Sequence, residues 1–378
     1  MRIVPVSARA IGKRLARTIY SETGQPLLEA GVTLTDRYIE ALEARGIQGI
    51  YVEDPLIPDI DPAQDALSER TRVDATVAVR KVFERVGEDA SVPIREVVPV
   101  VEAIVDELLA GDSTSMGLYL IRDYDQFIFV HSVNVCTYSI ALGSKLGLNK
   151  NKLVELGTGA LLHDLGTIRL PEGLADKAPS EMSESERVIY EQHTVDGYNM
   201  MRSNPAVSLL SAHVAFQHHE RWDGQGFPRR LRAEDIHLYG RIVAVADAFD
   251  NLTSRRPSEG EPMPEVKAGA MLLREAGSAF DPRLVSMFLK QLALYPVGTI
   301  VRLSNGFLGV VSRTVLGQPL RPWVRVLADA HNEQLEPFEL SLVENKHLEI
   351  QEVLADYPGE MPGGGVVAGT SVRSNQQG

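Results

Sequence analysis

Three observations predict a mainly α-helical chain with a small α+β unit at the N-terminus and a small β appendage at the C-terminus. Apolar residues recur at helical spacing through 127–146, 153–162, 188–201, 207–216 and 242–252. Residues 1–55 instead carry short strand-like runs around a glycine turn. Beyond Tyr295-Pro296, β-branched runs flank an Asn305-Gly306 turn. A length of 378 residues fits two or three domains.

In chain order, Arg2-Ile3-Val4-Pro5-Val6 reads as a strand and 20–28 as a hairpin around Gly24. Thr35-Asp36 caps a helix running to Arg45 and stopped by Gly46, and 47–52 closes the unit as a strand. Pro55, Pro58 and Pro62 open a connector, 56–112, whose helical patterning covers 63–86 and 94–109. The run 97–109 is apolar enough to need a partner helix, more often one of the same chain than a dimer seam; a homodimer is the alternative. The helical domain is placed at 113–292. A β-rich appendage follows at 293–357, with strands at 299–303, 309–313 and 323–327. The Gly-, Ser- and Gln-rich stretch 358–378 is expected to be a disordered tail.

A net charge of −13 argues against binding to DNA or RNA duplexes, which calls for a basic footprint. A small anionic substrate is still allowed, because metal ions and a few arginines reverse the potential locally. The single cysteine, Cys136, forms no internal disulfide and fits a reducing compartment. Met1 to Ala10 lack the apolar core of a signal peptide and no apolar run reaches membrane-spanning length, so a cytoplasmic chain without membrane insertion is expected.

The chemistry concentrates in His218-His219-Glu220-Arg221-Trp222-Asp223-Gly224-Gln225-Gly226-Phe227-Pro228. Upstream lie His131, the pair His163-Asp164 and His193; downstream lies Asp247. Imidazole and carboxylate are the ligands that manganese, iron, cobalt and zinc select. Two such ions a few ångströms apart clamp a phosphoester for hydrolysis. His163 and Asp164 diverge by about 100° near a helix end, so they can face neighbouring ions. Asp164 can bridge the two with one oxygen each. Asp247 lies in an apolar helix, where a lone carboxylate is costly to bury and calls for a cation.

Singly, each residue has a plainer explanation. A lone His131 or His193 on an apolar face is more often a hydrogen-bonded core histidine. Glu220 and Asp223 can be loop carboxylates solvating the turn, and Asp247 can pair with Arg241. His213 and His237 receive no role. Seven ligands in this order are what outweigh those explanations.

The order of motifs resembles the HD-GYP family, a branch of the HD metal-dependent phosphohydrolases, over about residues 115–292. The resemblance rests on His131, His163-Asp164-Leu165-Gly166, His193-Thr194-Val195-Asp196-Gly197, the 218–228 motif, and the segment from Val245 to Pro257 containing Asp247. It implies a helical fold and hydrolysis of cyclic di-GMP to pGpG or on to GMP at a centre of iron or manganese. His131, His163, Asp164 and Asp247 would hold one ion, and Asp164, His193, His218 and His219 the other, with a bridging hydroxide attacking phosphorus. Members with a third metal place a glutamate where this chain has Phe127, so two divalent ions are expected.

Three departures fall on the substrate side. Thr167 stands where the family's lysine contacts the scissile phosphate, which removes a charge worth about ten- to a hundredfold in rate. Phe227 keeps the ring of the name-giving tyrosine without its hydroxyl. Arg256 is kept for substrate binding, but Ser258 and Glu259 replace a stacking tyrosine and a cation. The expectation is therefore a phosphodiesterase acting through Asp164 and Thr167. The alternatives are a catalytically weak metal- or nucleotide-binding sensor, and a phosphodiesterase for another cyclic dinucleotide such as cyclic GMP-AMP.

Overall fold

The helical pattern of the sequence is realised as ten α-helices among the described residues of the computed structural model, which are 1–21, 25–45, 47, 49–60, 66–89, 92–111, 127–178, 180–254, 263–354 and 356–357. The N-terminal unit pairs β1 (Arg2–Pro5) antiparallel with β4 (Gly49–Val52), and β2 (Ile19–Tyr20) with β3 (Pro26–Leu28). Helix α1 (Asp36–Glu43) starts after Thr35, and its buried Ile39 and Leu42 join Leu15, Ile19, Leu34 and Ile50 in one small core.

Two antiparallel helices follow, α2 (Glu69–Asp89) and α3 (Ile94–Ala110). The apolar stripe Val97, Val101, Ile104 and Val105 of α3 is buried in the core of this chain, against α2 and against α5 (Lys150–Leu161). That packing accounts for the apolar run without a dimer seam.

The centre of the molecule is α4 (Phe127–Lys145), buried at every position from His131 to Gly143. A helix apolar on all sides must be enclosed, and α2, α5 and α8 (Leu238–Thr253) enclose it. Around them lie α6 (Glu184–Arg202), opened by a Ser183–Glu186 capping box, and α7 (Leu209–Gln217), capped by Ser208. Helices α9 (Glu265–Arg274) and α10 (Pro282–Leu289) close one side. Phe249 and Phe288 meet edge-to-face with Tyr138 at the junction of α4, α8 and α10.

The C-terminal sheet has five antiparallel strands in the order β8 (Gln334–Ser341), β7 (Trp323–Ala328), β6 (Leu308–Arg313), β5 (Ile300–Leu303) and β9 (Ile350–Leu354). Three of these were expected. The other two, β8 and β9, are the exposed edges, where alternation of apolar and polar residues is weak. Charged side chains tie the ends of the chain together. Buried Arg2 pairs with Asp54 and Asp356, each at 2.7 Å, and lies over the Tyr357 ring. The residues of the expected tail, 358–378, lie outside the described ones. No helix among the described residues is long and apolar enough to cross a membrane.

Candidate metal centre

Five helical segments deliver the seven expected ligands to one place. His131 is the fifth residue of α4. His163 and Asp164 follow the end of α5, in the turn before a short 3-10 segment at Leu165–Arg169. His193 projects from α6, His218 and His219 follow the end of α7, and Asp247 lies inside α8. Gly166 makes this convergence feasible. A Cβ there would lie 1.9 Å from the His193 carbonyl oxygen and 2.6 Å from the Gly197 nitrogen, so only glycine lets the turn touch α6.

Asp164 sits between two groups of imidazoles. Its Oδ1 lies 3.5 Å from His193 Nε2 and 3.4 Å from His218 Nε2. Its Oδ2 lies 3.5 Å from His163 Nε2 and 4.0 Å from His131 Nε2. Asp247 joins the second group, with Oδ1 at 3.1 Å from His131 Nε2 and 3.7 Å from His163 Nε2. His219 joins the first, where the ligand atoms of Asp164, His193, His218 and His219 all lie within 4.8 Å of one another.

Local hydrogen bonds aim the rings. His163 Nδ1 donates to the Ala160 carbonyl at 2.8 Å, His193 Nδ1 to Tyr190 at 2.6 Å, and His218 Nδ1 to Ala215 at 3.0 Å. A carbonyl only accepts, so Nδ1 carries the proton and the Nε2 lone pair points into the centre. His131 Nδ1 is held instead by Asp250 Oδ2 at 2.7 Å, whose Oδ1 accepts from Asn134 Nδ2 at 2.8 Å. Orienting partners of this kind fix the tautomer of metal-binding histidines. The role of Asp250 was missed from sequence, although its spacing of three from Asp247 puts both carboxylates on one face of α8.

The donor set fits divalent metal. The Nε2 atoms of His163 and His219 are buried with no hydrogen-bond partner, an arrangement that costs about 1–3 kcal/mol each unless something accepts the lone pair. Burial pushes the His193 pKa down to about 4 and that of His219 well below its usual value, so both are neutral ligands. Burial would raise the pKa values of Asp164 and Asp247, but the neighbouring histidines outweigh it and hold both carboxyls well below the usual range. Burial also disfavours a charged His131, yet Asp247 and Asp250 raise its pKa to about 10. The carboxylates thus hold positive charge at this point, a place a cation would take from that proton.

The remaining expected residues divide differently. Glu220 is buried and accepts from the Arg229 and Leu231 amides, at 2.8 and 2.9 Å, so it shapes the turn. Asp223 pairs with Arg221 at 2.9 Å. Arg241 pairs with Asp281 rather than Asp247, at 2.9 Å. Phe227 lies against the His219 ring, with centroids 4.7 Å apart. The Thr167 hydroxyl donates to the Asp164 carbonyl at 2.8 Å, bracing the turn that carries the shared carboxylate. Arg256, Ser258 and Glu259 lie outside the described residues, as does Arg255. Beside the centre opens a cavity of about 610 Å³, reached by His218, His219, Phe227 and Asp247.

The seven residues all lie inside a segment that matches a known domain. Residues 118–284 match the model of an HD domain, and 300–357 match that of a KOW domain associated with the HD domain. The chain is similar to a cyclic di-GMP phosphodiesterase of Pseudomonas aeruginosa, 32% identical over 72% of this chain and 66% of the relative. A cyclic di-GMP phosphodiesterase of Thermotoga maritima is 37% identical over 42% of this chain and 43% of the relative. A 3'3'-cGAMP-specific phosphodiesterase of Vibrio cholerae is 32% identical over 42% and 30%, respectively. The chain therefore spans just under two thirds of the first relative and less than half of the other two.

Proposed function

The chain belongs to the HD domain family, and from that premise we propose that it is a metal-dependent phosphodiesterase that hydrolyses cyclic di-GMP to pGpG, GMP or both. The observation that carries the proposal is the position of Asp164, with one carboxylate oxygen toward each imidazole group. Two divalent ions held there, iron or manganese as the family resemblance implies, would activate water and neutralise charge gathering on the phosphoryl oxygens.

The protein's own part is positioning. His131, His163 and Asp247 complete one ion site with Asp164; His193, His218 and His219 complete the other. The carbonyl contacts hold the His193 and His218 rings in their ligating tautomers before any ion arrives, and Asp250 fixes the orientation of His131, whose Nε2 proton the ion would displace. Phe227 packs on His219 and gives the cavity an apolar wall, which limits water around the scissile phosphate. Thr167 supports Asp164 through its backbone, so the phosphate charge rests on the ions alone at that position.

Cyclic GMP-AMP is the second reading for the substrate, favoured by the similarity to the Vibrio cholerae enzyme. A cytoplasmic setting is part of the proposal, supported by a single, buried cysteine. The test is metal removal and return. Chelated protein should convert no cyclic di-GMP by chromatography and should recover on addition of Mn²⁺ or Fe²⁺ without oxygen. Metal uptake without any product would favour the sensor reading.

A further inference from the structure

The cavity beside the metal centre holds a carboxylate that nothing in the metal chemistry uses. Glu191 lines it together with Arg187 and Tyr190, at the spacing i, i+3 and i+4 that puts all three on one face of α6. The other cavity carboxylates are engaged. Asp247 faces His131, Glu220 accepts two backbone amides, and Glu275 accepts from Ser278 Oγ at 3.2 Å. Glu191 shares its carbonyl with Thr194, at 2.9 Å, but its carboxylate has no partner among the described residues.

An unpaired carboxylate facing an anionic substrate is repulsive unless it meets hydrogen-bond donors. The Watson–Crick edge of guanine offers two beside each other, N1–H and N2–H, whereas the adenine edge presents the N1 lone pair. Rings are at hand to stack a base. Tyr190 lies 4.9 Å from the His193 ring and 6.3 Å from that of His219, and Phe227 lies 4.7 Å from His219. Unpaired bases are commonly read this way, stacked on aromatic rings and hydrogen-bonded at their edges. Arg187 lies six residues before the ligand His193, about 9 Å along the helix, which leaves room for a second phosphate away from the reacting one.

We propose that this face of α6 is a guanine-reading subsite, in which Glu191 accepts from N1–H and N2–H of the base, Tyr190 stacks on it and Arg187 meets the second phosphate. The inference rests on a cyclic dinucleotide being the substrate. It also supplies, from α6, the cation and the stacking ring that the sequence lacks at Thr167 and Ser258.

The test separates recognition from turnover by measuring equilibrium binding of slowly hydrolysed phosphorothioate analogues of cyclic di-GMP and cyclic di-AMP to the full chain with Mn²⁺. Wild type should prefer the guanine ligand. Glu191→Gln should weaken it by roughly ten- to a hundredfold, the loss of a charge-assisted contact, and bind the adenine ligand no worse, since an amide pairs with the adenine edge. Arg187→Gln should weaken both ligands alike. That pattern supports the subsite even if wild type turns over neither nucleotide, in which case the phosphodiesterase proposal alone fails. Equal binding of the two ligands by wild type, no binding of either, or a Glu191→Gln variant that keeps the wild-type preference would overturn the subsite.

Discussion

Asp250 Oδ2 lies 2.7 Å from His131 Nδ1, deep inside the helical core and on the side of the ring away from the metal centre. Because Asn134 donates to the other oxygen of Asp250, the carboxylate is fixed from two directions. The ring it orients presents Nε2 to Asp247 and Asp164. Asp250 is thus a positioning residue, and Asp250→Asn should lower the affinity of the His131 ion site by about ten- to a hundredfold. Competition with a chelator measures this directly. Unchanged affinity would mean that α4 alone sets the ring.

His219 belongs to only one of the two ligand groups, whereas Asp164 belongs to both. His219→Ala should therefore reduce bound metal from about two ions per chain to about one, and Asp164→Ala should remove nearly all of it. Elemental analysis of the purified variants distinguishes them. Equal losses in the two would argue against a shared carboxylate.

Gly166→Ala should cost about 3 kcal/mol, the upper range for overpacking, because the added methyl would strike backbone atoms of α6 rather than a flexible side chain. The urea midpoint and the metal content should fall together. A near-native midpoint would show that α6 can step away from the turn without loss.

Thr167→Lys should raise kcat/KM for cyclic di-GMP by about tenfold, since it adds a cation one turn beyond Asp164, at the lower end of a charged contact's worth. It also removes the hydroxyl that braces the Asp164 carbonyl. If the rate does not rise while metal content holds, charge at this position does not limit the reaction.

The pairing of the chain ends sets an acid dependence. Burial pushes the Asp356 carboxyl upward, but Arg2 and Lys13 outweigh it and lower its pKa. A depressed carboxyl contributes stability that is complete above its unfolded pKa, about 3.9, and is lost as pH falls through the lower folded value. Asp356→Asn should cost about 2 kcal/mol at pH 7 and lose less than wild type on acidification below about pH 4. Urea titrations at the two pH values report both. Parallel acid losses in the two proteins would place the dependence elsewhere.

What the sequence made legible follows from locality. His131, His163, Asp164, His193, His218, His219 and Asp247 are polar residues within helices or just past their ends, in short recognisable motifs, so their oddity shows residue by residue. The helices of the core show for the same reason, through periodicity. Less visible are features that exist only after folding. Arg2 meets Asp356 across a separation of 354 positions, and nothing local marks that partnership. Glu220 was ambiguous because a turn-shaping carboxylate and a ligand carry the same side chain. Helix α10 went unassigned even though Asp281 accepts from the Arg283 amide and Pro282 begins the helix, a start signal that was present. The nucleotide face of α6 was hidden because Arg187, Tyr190 and Glu191 are ordinary surface residues until a cavity gathers them.

The most direct measurement is turnover of cyclic di-GMP by anaerobically purified chain loaded with Mn²⁺ or Fe²⁺, beside Asp164→Ala. A metal centre that cleaves the nucleotide predicts pGpG or GMP from wild type and none from the variant. Wild-type protein that holds about two ions per chain yet leaves the nucleotide intact would contradict it.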